Sequence, residues 1–163
     1  MPMLQHLHIE NYALIDSLDT EFRPGLNLLT GETGSGKSIV VDAVGLLLGD
    51  KASSESIRSG AERARITGVF SAAPSSHSDA GRWERLLALL AESGIEAPEG
   101  EDVVLQRDIL PGGKSRVFVN NQPATVSLSK AMAPYDAMSF EDCLLDNRDS
   151  SSPTGNTFAN NNI

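Results

Sequence analysis

Gly31-Glu32-Thr33-Gly34-Ser35-Gly36-Lys37-Ser38 decides how this chain folds. The octet fits the phosphate-binding pattern G-x-x-x-x-G-K-[ST]. Its flanks fit as well. Residues 26–30, Leu-Asn-Leu-Leu-Thr, read as a short buried strand. Residues 39–48 read as a helix, and Gly49 stands where a helix-ending glycine belongs. Glycines let successive backbone N–H groups turn inward around phosphate oxygens. The helix that follows aims its positive end at the same anion. The expected contacts are the loop backbone at Gly31, Thr33, Gly34, Ser35 and Gly36, the Lys37 ammonium on the β- and γ-phosphates, and the Ser38 hydroxyl on Mg²⁺. Ile39, Val40, Val41, Ala43, Val44, Leu46, Leu47 and Leu48 leave that helix little polar surface, so it should be buried on most sides.

Outward from the loop, the first half of the chain reads as strands. Residues 4–9 alternate imperfectly, and residues 16–22 alternate cleanly with Leu18 and Phe22 on one face. Arg23-Pro24-Gly25 is a turn that delivers the chain into the strand before the loop. Beyond a polar stretch over residues 50–60, residues 64–71 form another strand. After a Ser/Pro loop, Asp79 caps a helix over residues 80–93. Trp83, Leu86, Leu87 and Leu90 form its apolar stripe, and Gly94 ends it. Residues 103–110 and 115–120 read as two strands joined by Pro111-Gly112-Gly113-Lys114, a hairpin signal. A short helix begins near Ser127. The fold class is α/β: a mixed sheet around one P-loop helix, with an added hairpin and helix.

Texture changes at Pro134. Ser150-Ser151-Ser152-Pro153 and Asn160-Asn161-Asn162 are polar, low-complexity tracts. Such a segment buries too little apolar surface to offset its ordering entropy. The expected division is a folded lobe over residues 1–133 and a mostly disordered tail over residues 134–163.

Bulk composition narrows the function classes. The 163 residues carry a formal net charge of −9, which is not the basic excess that often marks a nucleic-acid binder. Cys143 is the single cysteine, so neither an internal disulfide nor a cysteine-based zinc site is available. No basic and apolar leader opens the chain, and no apolar run nears the roughly 18 residues that span a bilayer. A cytoplasmic protein is the simplest expectation. His6 and His8 share a strand face but have no third ligand nearby in sequence, and they read as surface histidines.

Further residues make the phosphate loop more specific. Ile9-Glu10-Asn11-Tyr12 precedes it, Glu32-Thr33-Gly34 lies inside it, and residues 42–49 and Ile57-Arg58-Ser59-Gly60 follow. Together with residues 117–124, Val-Phe-Val-Asn-Asn-Gln-Pro-Ala, they closely resemble the N-terminal head segment of the RecN family. That family contains bacterial DNA repair proteins of the structural-maintenance-of-chromosomes (SMC) group of ABC-type ATPases. The resemblance covers residues 3–132 and fades beyond. It implies ATP and Mg²⁺ as ligands and a head split into two lobes. The second lobe supplies the signature motif, the Mg²⁺-site aspartate and the catalytic glutamate. It also implies a second head in trans, with DNA as a partner only of the intact family protein. No Leu-Ser-Gly-Gly run and no apolar strand ending in Asp-Glu occurs here, and residues 136–143 do not match the glutamine-containing loop expected there. A truncated or frame-shifted reading of a longer gene would give this pattern.

Two smaller assignments stay open. Arg58 falls where the resemblance places an arginine near nucleotide or DNA, and it reads equally as a solvated loop residue. Asn11 and Tyr12 fit either a position beside the nucleotide base or a structural turn. A rival function also stands: a self-contained P-loop kinase or nucleotide hydrolase acting on a small substrate. It would need its own Mg²⁺-site carboxylate, for which Asp108 is the one faint candidate.

Overall fold

The computed structural model describes residues 2–22, 27–29, 37–72, 80–97, 100–136 and 158–160. Its main body is a six-stranded sheet made of β1 (Pro2–Tyr12), β2 (Ile15–Glu21), β4 (Ala64–Ala72), β5 (Val103–Ile109), β6 (Ser115–Val119) and β7 (Gln122–Ala124). The spatial order is β2-β1-β4-β5-β6-β7, and every pairing is antiparallel. β3 (Asn27–Leu29) pairs instead with β8 (Phe158–Asn160).

Strand alternation divides the sheet into a dry face and a wet face. Leu7, Ile9, Ala64, Ile66, Phe70, Val103, Leu105, Ile109, Val117 and Val119 point to the dry face and are buried. His8, Glu10, Arg65, Gln106 and Arg116 stand at the intervening positions, more open to solvent. Three helices cover the dry face. They are α1 (Lys37–Leu47), α2 (Ala80–Glu92) and α3 (Val126–Asp136). Val40, Ala43, Val44 and Leu47 of α1, Trp83, Leu86 and Leu90 of α2, and Leu128 and Met132 of α3 complete one core.

Glycines end two of these helices as their positions predict. Gly49 has φ 106° and Gly94 φ 77°. After α1, the Gly49 N–H donates to Leu46 O at 3.1 Å and the Asp50 N–H to Gly45 O at 3.0 Å. After α2, the Gly94 N–H donates to Ala91 O and the Ile95 N–H to Leu90 O. Both are Schellman closures, which need a left-handed residue and so favour glycine. The β6–β7 hairpin turns on Asn120 and Asn121, with φ 48° and 63°. Two left-handed residues make the turn twist that a two-residue hairpin requires.

The expected boundary at residue 133 shifts, because α3 runs through Pro134 to Asp136. Within the tail expected to be disordered, residues 134–136 and 158–160 have regular backbone structure, and residues 137–157 and 161–163 lie outside the described part. Backbone pairing of the β3–β8 kind uses N–H and C=O groups that every such residue carries, whatever its side chain.

Candidate nucleotide site

The phosphate motif begins just after β3 and runs into α1. β3 ends at Leu29 and α1 opens at Lys37, so Lys37 and Ser38 are the first two helical residues. Gly31, Thr33, Gly34, Ser35 and Gly36 lie outside the described residues, as do the side chains of Lys37 and Ser38. The first turn of a helix carries N–H groups with no partner inside the helix, and with them the positive end of its dipole. No acidic residue stands in the first turn of α1 to compete for that end.

α1 is seated firmly on the sheet. At Gly68 of β4 the missing side chain lets the helix approach closely. A Cβ there would lie 2.5 Å from Leu47 Cδ2 and 3.2 Å from Phe70 Cε2. At the far end, a Cβ on Gly49 would press against Lys130 of α3, meeting its backbone N at 3.1 Å. The same end is held by Arg107 of β5, which is only 3% exposed. Its Nη1 donates to Leu46 O and, at 2.6 Å, to Asp50 O. Its Nε and Nη2 donate to Ser115 Oγ at 3.3 and 3.1 Å. Burial lowers the affinity of this guanidinium for its proton, and the charge of Asp50 works the other way. Positions 103, 105 and 109 on the same face are apolar. A charge in that alternation is the sequence sign of a helix-end partner.

Asn11, Tyr12 and Arg58 meet at one corner. Asn11 and Ala13 take φ 52° and 51°, flanking a buried Tyr12. The Arg58 N–H donates to Asn11 O at 2.8 Å, and the Ala13 N–H to Ser56 O at 2.7 Å. Tyr12 pairs with Ile57 in an isolated bridge. Burial first, then the charge of Asp42 on α1, raises the Tyr12 pKa, against a lowering hydrogen bond with Ser56. The backbone thus uses Asn11 and Tyr12 as a structural corner beside α1. The Arg58 side chain is exposed and donates to Asp16 Oδ1 at 2.6 Å.

Asp108 is 3% exposed but belongs to the wet face. Arg65 grips it with two hydrogen bonds, Nε to Oδ1 at 2.7 Å and Nη2 to Oδ2 at 3.0 Å. Arg63 stands 3.6 Å away and Gln106 donates to Oδ1 at 3.3 Å. Its hydrogen bond to Arg65 raises the Arg65 pKa. His6 and His8 share one acceptor across the strand pair, Asp19 Oδ1, at 2.9 and 2.7 Å. Among the described residues no group of three or more His, Cys, Asp or Glu is arranged to hold a metal ion.

A family model described as "AAA domain" matches residues 6–82. The DNA repair protein RecN of Bacillus subtilis is 42% identical over 125 residues, which is 77% of this chain and 20% of that protein. RecN of Xylella fastidiosa is 36% identical over 133 residues, covering 82% and 22% of the two chains. This chain belongs to the RecN family and matches its N-terminal segment. It spans about a fifth of the length of these RecN relatives. Among solved structures, an Smc head domain with coiled coil and joint from Pyrococcus yayanosii superposes with a TM-score of 0.65 at 22% identity, covering 86% of this chain and 27% of that one. A structure from work on ATP-driven dimerization and DNA-stimulated activation of SMC ATPases gives 0.64 at 20% identity and covers 93% of each chain. RecF with ATP, a recombination mediator, gives 0.52 at 19% identity, covering 75% and 27%. The fold of the RecN segment is therefore that of an SMC-type ATPase head. Among its described residues no helix is long and apolar enough to cross a membrane.

Proposed function

We propose that this RecN-type segment is a cytoplasmic, ATP-binding lobe of a DNA repair and recombination ATPase, and that it binds Mg·ATP through residues 31–38. One juxtaposition carries the proposal: the motif Gly31–Ser38 begins two residues after β3, and its last two residues open the buried helix α1. That order suits a triphosphate, because in this reading the loop and the helix end would present donors to one point. In this reading the Lys37 ammonium holds the β- and γ-phosphates and the Ser38 hydroxyl ligates Mg²⁺. When bound, Mg²⁺ would neutralise charge on the bridging phosphate oxygens.

Hydrolysis needs more than this lobe offers. It takes a positioned water, a residue to orient it and donors for the γ-phosphoryl charge. The 163 residues contain neither a Leu-Ser-Gly-Gly run nor an Asp-Glu pair closing an apolar strand. In the proposed assembly those groups come from a C-terminal lobe and from a second head in trans, and DNA is engaged only by that assembly. Dimerization driven by ATP, named for an SMC ATPase of the same fold, supports a second head as the partner.

Calorimetric titration with Mg·ATP tests the site. A hydrogen bond to a charged group contributes roughly 1.5–3 kcal/mol. Lys37→Ala should therefore weaken binding by about 10- to 100-fold. Phosphate release by the isolated chain should stay at the Lys37→Ala background. Equal affinities for the two proteins would refute the site, and robust turnover by wild type alone would refute the split-lobe assignment.

A further inference from the structure

Arg107 is an unusual residue to find where it lies. Val103, Leu105 and Ile109 line the same face of β5, and each is fully buried. A fourth apolar side chain would complete that face. Instead a guanidinium is buried, and among the described residues its donors go to Leu46 O, Asp50 O and Ser115 Oγ rather than to a carboxylate. Burying such a charge is costly unless its donors are satisfied. Here Nη1 is satisfied at the C-terminal end of α1, where the helix dipole leaves partial negative charge, and Nε and Nη2 are satisfied at Ser115.

We infer that Arg107 is a positioning residue for the phosphate site at the opposite end of α1. The inference rests on reading residues 31–38 as that site. Two physical effects connect the ends. An 11-residue helix is a stiff rod about 16 Å long. Fixing one end on Arg107 and its flank on Gly68 sets where the first turn, with Lys37 and Ser38, lies over the sheet. The second effect is electrostatic. A cation offsets the negative end of the dipole, so less of the positive potential at the N-terminal end is cancelled. Ser115 belongs to the same device, because its hydroxyl accepts from both Nε and Nη2 and so fixes the plane of the guanidinium. That plane decides whether Nη1 reaches both carbonyls.

The test uses the full chain. Mg·ATP affinity is measured by calorimetry for wild type, Arg107→Met, Arg107→Lys, Ser115→Ala and Lys37→Ala. Leu90→Ala, a cavity variant in α2, serves as a destabilised control. In parallel, hydrogen exchange without nucleotide is followed at the amides of residues 39–42. Remote residues in a packed network commonly change affinity by 0.5–2 kcal/mol, so Arg107→Met should bind about tenfold more weakly. Arg107→Lys keeps the charge but lacks the planar fork, and should fall between Met and wild type. Exchange over residues 39–42 should quicken in Arg107→Met and not in Leu90→Ala. Folded Arg107→Met with wild-type affinity and wild-type exchange would overturn the inference. Should Arg107→Met fail to fold, Ser115→Ala decides. Weaker binding with faster first-turn exchange upholds the inference, and wild-type values overturn it. Absence of Lys37-dependent binding in wild type would count against the phosphate-site reading, and exchange at residues 39–42 would then decide the role of Arg107 alone.

Discussion

Replacing Gly68 with alanine should destabilise the protein, although two general effects favour the change. Alanine restricts the unfolded chain and thereby stabilises by about 0.4–1 kcal/mol. It is also the better strand residue, within a scale spanning roughly 1 kcal/mol. Packing decides the sign. Gly68 pairs with Leu7 on one side and Leu105 on the other, in the middle of the sheet beneath α1. Its new methyl would lie 2.5 Å from Leu47 Cδ2 and 3.2 Å from both Leu4 Cδ1 and Phe70 Cε2. Leu47 is fully buried and Phe70 is 2% exposed, so neither has empty space to turn into. Overpacking of this kind costs about 1–3 kcal/mol. A 2.5 Å approach to a buried carbon puts this site at the upper end of that cost, so the balance is a loss of about 1–2 kcal/mol. With a urea slope of about 1–3 kcal/mol per molar, the midpoint should fall by roughly 0.5–1 M. A double-mutant cycle with Leu47→Ala sharpens the test. Leu47→Ala alone should cost about 2–5 kcal/mol by opening a cavity. In the double variant the new methyl occupies part of that cavity, so the two costs should fall short of additivity by at least about 0.5 kcal/mol. A Gly68→Ala midpoint at or above wild type, or strict additivity with Leu47→Ala, would refute the packing argument.

Two further outcomes follow from the wet face. Asp108→Asn removes the charge that Arg65 grips with two hydrogen bonds, and should cost roughly 1.5–3 kcal/mol in urea unfolding. Mg·ATP affinity should change less than twofold, about 0.4 kcal/mol, whereas a Mg²⁺-site carboxylate would show the reverse pattern of lost binding with stability intact. The histidine cluster sets a pH dependence. Burial alone would lower the His8 pKa, but the hydrogen bonds its ring donates to Asp19 and Glu10 outweigh it and raise the value above 6.5. Hydrogen bonds from His8 and His6 lower that of Asp19 below 3.8. The His8 contribution to stability is thus complete below pH 6.5 and fades as pH rises through the raised folded value. The Asp19 contribution is complete above pH 3.8 and fades as pH falls through the lowered one. His8→Gln should flatten the loss of stability between about pH 6 and about pH 8. Parallel urea midpoints for wild type and His8→Gln across that range would count against the cluster.

Local chemistry explains which parts were legible in the sequence. α1 and α2 were legible because each has a glycine at its left-handed end and an apolar face at helical spacing, and both closures fall at the expected Gly49 and Gly94. The strands of the sheet were found wherever alternation was clean. β1 is legible over residues 4–9 but extends from Pro2 to Tyr12, and the register shift between Leu4 and His6 blurs its period of two. β7 is only three residues long, too short for a period, and its signal was the Asn120-Asn121 turn. The change of texture at Pro134 does not coincide with a structural boundary, because α3 continues two residues past it. At the site, the motif residues were legible from the octet alone. The devices that seat the helix were not. Arg107 and Gly68 act on residues 21 to 61 positions away in the chain, at Leu46, Asp50 and Leu47, and Ser115 acts through Arg107; the one local mark is the charge at position 107 in an otherwise apolar alternation.

Strand alternation also bears on Asp108, the carboxylate that the rival to the split-lobe assignment would need. Arg107 and Asp108 are neighbours in β5, both 3% exposed, and they point to opposite faces of one sheet. Arg107 meets α1. Asp108 meets Arg65 and Arg63 on the far side. A carboxylate that serves Mg²⁺ directly or through one water must stand within a few ångströms of the ion, whereas a helix and the far side of a sheet are separated by about 10 Å of packed side chains. No rotamer of Asp108 crosses the backbone of its own strand. A one-residue slip of register would exchange the two faces, but it would also carry Leu105 and Ile109 into water and Gln106 into the core. The hydrophobic pattern that fixes the sheet therefore also keeps Asp108, the one buried carboxylate among the described residues, on the face opposite α1. In the proposed function the acid that completes the site is accordingly assigned to another lobe.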